Sequence, residues 1–135
     1  MHGWERQFAG RRALLVEDNA VARKVGSLIL QKLGFEVVVA EDGDEAIARV
    51  NEAAGAYDVV LMDVNMPRRD GLSATRAIRE RFASGALPIV AMTASDFDAD
   101  RDACLDAGMN VFVGKPLELD ELVAALAALI SKADR

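Results

Sequence analysis

The chain has 135 residues, the size of one ordinary domain, and its 52% hydrophobic content excludes an intrinsically disordered protein. Acidic residues outnumber basic ones by 22 to 16, and the net charge of −6 argues against direct binding to nucleic acid. One cysteine and one histidine, Cys104 and His2, exclude an intrachain disulfide, a structural zinc site and a histidine-based catalytic pair in the body of the fold.

Residues 1–10 are interpreted as a natural tail, a linker or an expression remnant, ahead of one domain over residues 11–133. The tail contains Trp4 and Phe8 but lacks the apolar core of a signal peptide. No stretch of the sequence is long and apolar enough to span a bilayer, so we expect a cytoplasmic domain without membrane insertion.

Short apolar runs alternate along the chain with longer segments in which apolar residues recur at helical spacing. The runs predicted as strands are Ala13–Val16, Glu36–Ala40, Val59–Met62, Ile89–Met92 and Val111–Val113. A helix is predicted after each strand. The first is marked by apolar residues at helical spacing: Val21, Val25, Leu28, Ile29 and Leu33. The next three are predicted over Asp44–Ala54, Gly71–Phe82 and Ala99–Ala107, and the last is marked by an apolar stripe from Leu119 to Ile130. Gly34 is the expected stop of the first helix. Continuously apolar strands are typical of a parallel sheet covered on both faces, so the pattern predicts one doubly wound α/β domain.

Polar residues closely follow four of the five predicted strands. They are Glu17 and Asp18 after the first strand, Asp63 after the third, Thr93 after the fourth and Lys115 after the fifth. Open α/β sheets bind ligands beyond the carboxyl ends of their strands. We therefore expect these five side chains to converge on one edge of the sheet.

Three acids, one hydroxyl and one lysine suit metal-assisted phosphoryl transfer. Crowded carboxylates repel one another, and a hard divalent cation such as Mg²⁺ relieves that repulsion. The carboxylate of Asp63 can act as a nucleophile toward a phosphoryl group, in a reaction that depends mainly on positioning and charge neutralisation. The cation, Lys115 and Thr93 would then each contact one oxygen of that group.

The order and spacing of five short motifs resemble the receiver domain of two-component response regulators, over residues 12 to 132. The motifs are Leu14–Asn19, Leu61–Pro67, Asp70-Gly71, Ala91–Ala94 and Gly114–Pro116. The sequence is most similar in character to receivers of hybrid histidine kinases, because it also carries Ala74-Thr75-Arg76, Ile78-Arg79 and Ala107-Gly108-Met109. The resemblance implies a CheY-like, flavodoxin-like (βα)5 fold with strand order 2-1-3-4-5.

The resemblance also implies a role for each residue that contacts the phosphoryl group. Asp63 is expected to accept the group from a phosphohistidine on a histidine kinase or a histidine phosphotransfer protein. Thr93 and Lys115 are expected to bind its oxygens. In this family the bond before Pro116 is often cis, which would direct Lys115 into the site; the sequence itself shows only that Pro116 disfavours a helix at Lys115.

The implied cofactor is Mg²⁺, or Mn²⁺ in its place. By resemblance, Asp18, Asp63 and the backbone carbonyl of Asn65 bind the cation directly, and Glu17 binds it mainly through water. Ala22, Arg69 and Gly114 depart from the residues that are common in the family, which bears on the docking of partners rather than on the chemistry.

A conformational switch is the expected output of phosphorylation. In the family, the hydroxyl at Thr93 moves inward and an aromatic residue, here Phe112, changes rotamer. The face formed by the fourth helix, fifth strand and fifth helix then shifts, as a change in population between two packings. A homodimer through that face is a further implied partner, and Phe112 can equally be interpreted as an ordinary core residue.

The other site residues have structural interpretations as well. Glu17 and Asp18 can be interpreted as caps of the first helix, and Asp63 as a turn residue. Thr93 can be interpreted as a hydroxyl that bonds to the backbone at a strand end, and Lys115 as a solvated charge.

Two alternative functions remain open at this point. The first is a pseudo-receiver that only binds partners, which the complete set of acids, hydroxyl and lysine disfavours. The second is an aspartyl-phosphate phosphatase of the haloacid dehalogenase type, which needs an acid two residues after the nucleophile, where this chain has Asn65. We therefore expect a switch that loses its phosphoryl group slowly by self-hydrolysis, and not an enzyme with a separate substrate.

Overall fold

The computed structural model describes residues 7–64, 66, 70–83, 85–93, 98–115 and 117–133 of the chain. Within these residues five strands alternate with five helices, which confirms the predicted βα repeat. The strands are β1 (Arg12–Val16), β2 (Glu36–Ala40), β3 (Val59–Asp63), β4 (Ile89–Thr93) and β5 (Val111–Gly114). The helices are α1 (Ala20–Lys32), α2 (Gly43–Glu52), α3 (Gly71–Arg79), α4 (Asp98–Ala107) and α5 (Leu119–Ala133).

The five strands form one parallel sheet in the order β2-β1-β3-β4-β5, which confirms the predicted strand order. In the register of the sheet, Leu15 of β1 pairs with Leu61 of β3, and Met92 of β4 pairs with Asp63 of β3. β2 lies at the edge of the sheet, and its Val39 is 37% exposed. Because all strands run the same way, their carboxyl ends meet at one edge.

Alternating side chains of the strands form a hydrophobic core on each face of the sheet. One core joins the sheet to α2, α3 and α4, and its buried residues include Leu14, Val16, Val50, Val60, Met62, Ile78, Ile89 and Cys104. The other joins the sheet to α1 and α5, and its buried residues include Leu15, Leu30, Leu33, Leu61, Val90, Met92, Leu122 and Leu126. Burial of each large aliphatic side chain stabilises the folded state by about 1.5–3 kcal/mol. Because both faces of the sheet bury such side chains, helices cover both faces, as the doubly wound prediction requires.

Side-chain caps fix the starts of helices on both faces of the sheet. Oδ1 of Asn19 accepts the N–H of Ala22 at 2.9 Å at the start of α1. Oδ1 of Asp42 accepts the N–H of Glu45 at 2.8 Å at the start of α2. Caps of this kind contribute about 1 kcal/mol each, and they begin each helix within a few residues of the preceding strand.

The apolar stripe predicted for the first helix is divided between the core and the surface. Leu30 and Leu33 are buried, but Val21, Val25 and Leu28 are 73%, 50% and 56% exposed. The helix turns about 100° per residue, so these three side chains lie on a different side from the pair that packs on the sheet. α1 therefore presents an apolar outer face.

Two helices end earlier than predicted. α2 ends at Glu52 rather than Ala54, because Ala54 and Gly55 adopt left-handed φ angles of 53° and 75° that stop a helix. α3 ends at Arg79 rather than Phe82, and the guanidinium of Arg79 donates to the carbonyl of Phe82 at 3.1 Å in the turn that follows.

Part of the segment interpreted as a tail packs against the domain. The N–H of Phe8 donates to the carbonyl of Leu33 at 2.8 Å, and the Phe8 ring stacks on Phe35 with centroids 5.1 Å apart. Gly34, at φ 107°, follows the end of α1 as predicted, and a Cβ there would lie 2.6 Å from the backbone nitrogen of Ala9. Residues 7–10 therefore close over one end of the core.

Among the helices that the structure describes, none combines the length and the apolar character that crossing a membrane requires.

Candidate metal and phosphoryl site

The predicted site residues meet at the carboxyl edge of the sheet. Glu17 and Asp18 follow β1, Asp63 and Thr93 are the last residues of β3 and β4, and Lys115 follows β5. The carboxylate oxygens of Glu17, Asp18 and Asp63 lie within 4.8 Å of one another. The convergence predicted from the parallel sheet is therefore observed.

Glu17 is held in the site by its backbone and by its side chain. Its N–H bonds to the carbonyl of Ala40 at 3.0 Å, and its side chain is 4% exposed. Oε2 of Glu17 accepts the N–H of Asn19 at 3.1 Å. Asn19, and neither Glu17 nor Asp18, caps α1, so the capping interpretation of the two acids is wrong.

Asp63 is the most buried of the three acids, with 1% of the residue exposed at the end of the central strand. Its backbone is fixed by the start of α3, where Gly71 donates to the carbonyl of Val64 at 3.0 Å. A Cβ at Gly71 would collide with the carbonyl oxygen of Asp63. Asp70 caps this helix by accepting the N–H of Ser73 at 2.8 Å. Glycine at position 71 thus lets α3 begin against the backbone of Asp63.

Lys115 joins two of the acids. Its Nζ lies 3.2 Å from Oε1 of Glu17 and 3.3 Å from Oδ1 of Asp63. Its backbone N–H donates to the carbonyl of Thr93 at 2.9 Å, which fixes the start of its side chain. Partial burial lowers the pKa of Lys115, but the nearby carboxylates of Asp63 and Glu17 outweigh burial and raise that pKa above its ordinary value. The ammonium is therefore a stable positive charge beside Asp63.

Thr93 lies on β4, which neighbours the strand of Asp63, and Phe112 lies on β5, one strand further out. Thr93 is 2% exposed at the end of β4, beside the strand that ends in Asp63. Phe112 in β5 is partly buried against the core shared with α3 and α4. The guanidinium of Arg101 in α4 lies 4.6 Å from the centroid of the Phe112 ring, so one face of the predicted switch residue is covered.

The three acids form a donor set that suits a hard divalent cation. Mg²⁺ binds oxygen ligands and retains several waters. Glu17 and Asp63 are buried and Asp18 is exposed, so the cluster is open to solvent on one side. The predicted ligand Asn65 and the supporting Pro116 lie outside the described residues.

Two residues at the site were not assigned a role from the sequence. Gly71 was noted only as part of a motif, although a glycine directly after a capping Asp can signal a close backbone approach. Arg101 was not singled out, because nothing in the sequence near it indicates that it would lie over Phe112.

A family model described as the response regulator receiver domain matches residues 13–127. The chain therefore belongs to the response regulator receiver domain family, whose members are domains of two-component phosphorelay systems. The predicted family and fold are thereby confirmed.

Curated relatives include both short response regulators and long hybrid kinases. The two-component response regulator ORR41 of Oryza sativa subsp. japonica is 44% identical over 118 residues, which cover 86% of this chain and 91% of that protein. The hybrid signal transduction histidine kinase M of Dictyostelium discoideum is 35% identical over 125 residues, 90% of this chain. The chain spans only 5% of the length of that kinase.

Solved structures of receivers have the same fold. The receiver domain of sensor histidine kinase PA1611 from Pseudomonas aeruginosa PAO1, with magnesium coordinated in its active-site cleft, is 41% identical with a TM-score of 0.79. The match covers 91% of this chain and 99% of that one. A co-crystal structure of the Saccharomyces cerevisiae histidine phosphotransfer protein Ypd1 with the receiver domain of Ssk1 matches at 27% identity and a TM-score of 0.80, covering 90% of this chain and 89% of that one.

Proposed function

We propose that this domain is a phosphorylation switch in which Asp63 accepts a phosphoryl group in a reaction that requires Mg²⁺ or Mn²⁺. The donor is a phosphohistidine on a histidine kinase or a histidine phosphotransfer protein. The observation that carries the proposal is the position of Lys115, whose Nζ lies 3.3 Å from Asp63 and 3.2 Å from Glu17, inside a cluster of three carboxylates. The magnesium of the PA1611 receiver and the pairing of Ypd1 with Ssk1 support it.

The geometry suits an attack by the Asp63 carboxylate on phosphorus. A bond forms between phosphorus and an oxygen of Asp63, while the bond between phosphorus and the histidine nitrogen breaks and leaves its electron pair on that nitrogen. Lys115 and the hydroxyl of Thr93 bind oxygens of the transferred group. Such a group is dianionic, and Asp63 is nearly fully buried, so positive charge at this position is essential.

Three residues are proposed to hold the cation directly: Asp18, Asp63 and, through its backbone carbonyl, Asn65. Glu17 is proposed to act through water, because its two oxygens already contact Lys115 and the N–H of Asn19. When bound, the cation neutralises charge on the phosphoryl group and on the carboxylates.

The outer face of α1 supports a protein as the donor. Val21, Val25 and Leu28 are exposed there, and α1 begins three residues after Glu17. Contiguous apolar side chains on a surface mark sites of protein contact. A helical donor that covered this face would bring its phosphohistidine to the carboxyl edge of the sheet. Dimerisation through α4, β5 and α5 stays a prediction.

Switching and loss of the phosphoryl group complete the proposal. Phosphorylation draws Thr93 toward the group, Phe112 changes rotamer and the face formed by α4, β5 and α5 shifts. The acyl phosphate of Asp63 is then lost slowly by self-hydrolysis, so the domain is a switch and turns over no separate substrate. A pseudo-receiver would not need the ion pairs that Lys115 makes with Glu17 and Asp63.

Phosphoramidate, a small donor whose phosphorus–nitrogen bond resembles that of phosphohistidine, provides the direct test. We expect the intact mass of the protein to rise by one phosphoryl group in the presence of Mg²⁺ and to stay unchanged with excess chelator. Asp63→Asn removes the nucleophile and is expected to abolish the adduct. Asp106→Asn, an exposed acid on α4, is the matched control and is expected to behave as wild type.

An adduct that persists in Asp63→Asn would assign the phosphoryl group to another residue. An unchanged mass in every condition, with the circular dichroism of a folded domain, would instead favour the pseudo-receiver.

A further inference from the structure

Asp18 lies in the short loop that joins β1 to α1, and its carboxylate is the exposed member of the three-acid cluster. Glu17 and Asp63 are held by the packing around them, because both are buried. Packing restrains an exposed carboxylate much less. The direction of the Asp18 side chain therefore depends on the two peptide units on either side of this residue.

Both of these peptide units are held by hydrogen bonds. The unit after Asp18 contains the N–H of Asn19, which donates to Oε2 of Glu17 at 3.1 Å. The unit before Asp18 contains the carbonyl of Glu17, which accepts a hydrogen bond from Nη1 of Arg23 at 2.9 Å. A peptide unit is planar, so a bond to its oxygen also restrains the Cα atom of the next residue. Arg23 thereby restrains the backbone from which the Asp18 carboxylate projects.

Arg23 is itself fixed at the start of α1. Its N–H donates to the carbonyl of Asn19 at 2.8 Å, and Asn19 caps the helix. Its side chain is only 20% exposed, and Nη2 lies 3.8 Å from Oε2 of Glu41, directly after β2. Because the Glu41 side chain is 67% exposed, that ion pair contributes little to stability. The hydrogen bond to the carbonyl of Glu17 is therefore the stronger of the two contacts.

The positive charge of Arg23 would by itself oppose the binding of a cation. The guanidinium is bonded to the peptide unit that joins two of the three acids, and like charges repel. Lys115 already provides a positive charge inside the cluster. The benefit of an arginine at this position is therefore geometric rather than electrostatic.

We propose that Arg23 is a positioning residue for the cation site, because its hydrogen bond to the carbonyl of Glu17 holds the Asp18 carboxylate toward Glu17 and Asp63. The inference deepens the proposed function and rests on it, since that function assigns the cation to Asp18. In this role Arg23 contacts neither the cation nor the phosphoryl group. It keeps the three acids in place before binding, so less conformational freedom is lost when the cation binds.

Binding of Mn²⁺ to the unphosphorylated protein tests this role without any phosphoryl transfer. Mn²⁺ is the probe because electron paramagnetic resonance measures the concentration of the free ion directly. Arg23→Met removes the hydrogen bond and the charge but keeps the aliphatic stem, and we expect the dissociation constant for Mn²⁺ to rise by about tenfold. Arg23→Lys keeps the charge and an ammonium that can donate to the carbonyl, so its dissociation constant is expected to stay within about threefold of the wild type.

Lys24→Met is the matched control, because it removes the same charge from the neighbouring, exposed position of α1. We expect this variant to bind Mn²⁺ as the wild type does. Arg23→Gln also removes the charge, and its shorter side chain cannot keep the contact with the carbonyl of Glu17. It provides the same comparison if Arg23→Met does not fold, and circular dichroism checks the fold of each variant.

Transfer from phosphoramidate separates positioning from chemistry. In Arg23→Met we expect the Mg²⁺ concentration that gives half of the maximal rate to rise by about tenfold, in step with the loss of Mn²⁺ affinity. The rate at saturating Mg²⁺ is expected to stay near that of the wild type, because Asp63, Thr93 and Lys115 are unchanged.

Unchanged or tighter Mn²⁺ binding in the folded Arg23 variants that lack the charge would overturn the inference. The proposed function would still stand if phosphoramidate modified Asp63 in those variants. An equal loss of affinity in Lys24→Met would also overturn the inference, because the charge of α1, and not the bond to Glu17, would then be the cause. A wild-type protein that binds no Mn²⁺ would overturn both the inference and the proposed function.

Discussion

One buried hydroxyl in this domain destabilises the folded state, and the apolar packing around it does not offset that cost. Thr75 in α3 is fully buried, and its hydroxyl has no hydrogen-bond partner in the part of the chain that the structure describes. A buried hydroxyl without a partner costs about 1–3 kcal/mol. Its neighbours Ala74 and Ile78 belong to the core between the sheet and α3. An apolar side chain of the same shape would suit this position better.

Thr75→Val tests this cost. Valine keeps the branched shape and removes the hydroxyl, so we expect the free energy of unfolding to rise by about 1 kcal/mol. Thr75→Ala is the control, because it also removes the hydroxyl but leaves a cavity, and it is expected to be less stable than Thr75→Val. Urea unfolding at constant pH measures both. A loss of stability in Thr75→Val would show that the hydroxyl does bind a group in solution.

At the scale of elements, one arginine ties three parts of the fold together. Arg79 at the end of α3 donates to the carbonyls of Gly108 at 2.7 Å and Leu87 at 2.8 Å. It also donates to Oδ1 of Asn110 at 2.9 Å. Burial lowers the pKa of this guanidinium. Its hydrogen bonds to these acceptors offset the cost of burying the cation, and they fix the segments that lead into β4 and β5.

Arg79→Lys tests the role of the planar guanidinium. Lysine keeps the charge but cannot reach several acceptors at once, so we expect the free energy of unfolding to fall by about 2–4 kcal/mol. Arg81→Lys is the matched control, because Arg81 is exposed and, among the described residues, its guanidinium has one hydrogen bond, to Asn51 at 2.9 Å. That variant is expected to lose less than about 1 kcal/mol. Urea titrations measure the free energy of unfolding of both variants. Equal losses in Arg79→Lys and Arg81→Lys would contradict the role assigned to the guanidinium of Arg79.

The strands, the helices and the outline of the site could be predicted from local patterns in the sequence. Asp63 and Thr93 follow apolar runs directly, and in a parallel sheet the ends of strands meet at one edge. What could not be predicted depends on contacts between distant residues. The exposure of Val21 depends on which side of α1 meets the sheet, and the cover that Arg101 forms over Phe112 depends on how α4 lies on β5.

At the scale of the whole molecule, stability is expected to depend on alkaline pH. Tyr57 is 6% exposed, and burial raises the pKa of its phenol, although the positive charges of Arg12 and Arg49 oppose this and Glu52 adds to it. The raised pKa means that the folded state favours the neutral phenol. The neutral phenol of Tyr57 therefore contributes fully to stability at pH values below about 10, the pKa of the phenol in the unfolded chain. This contribution is lost as pH rises through the pKa of the phenol in the folded state.

Tyr57→Phe isolates this contribution. Phenylalanine cannot ionise, so we expect its free energy of unfolding to fall less than that of the wild type as pH rises above about 10. Lys115 loses its proton with the same sign in both proteins, so it cancels in the comparison. Urea titrations from neutral to alkaline pH give the two curves. Parallel curves would contradict the assignment to Tyr57.

The link between Lys115 and Glu17 also has a consequence for how the domain is made. The two residues are 98 positions apart, so the ends of the folding unit must come together before the ion pair exists. A growing chain emerges from the ribosome with Glu17, Asp18 and Asp63 long before Lys115. Until β5 docks, those carboxylates have no lysine between them. On the proposed role of Lys115, we expect the ability to accept a phosphoryl group to arise only after β5 has docked, late in folding.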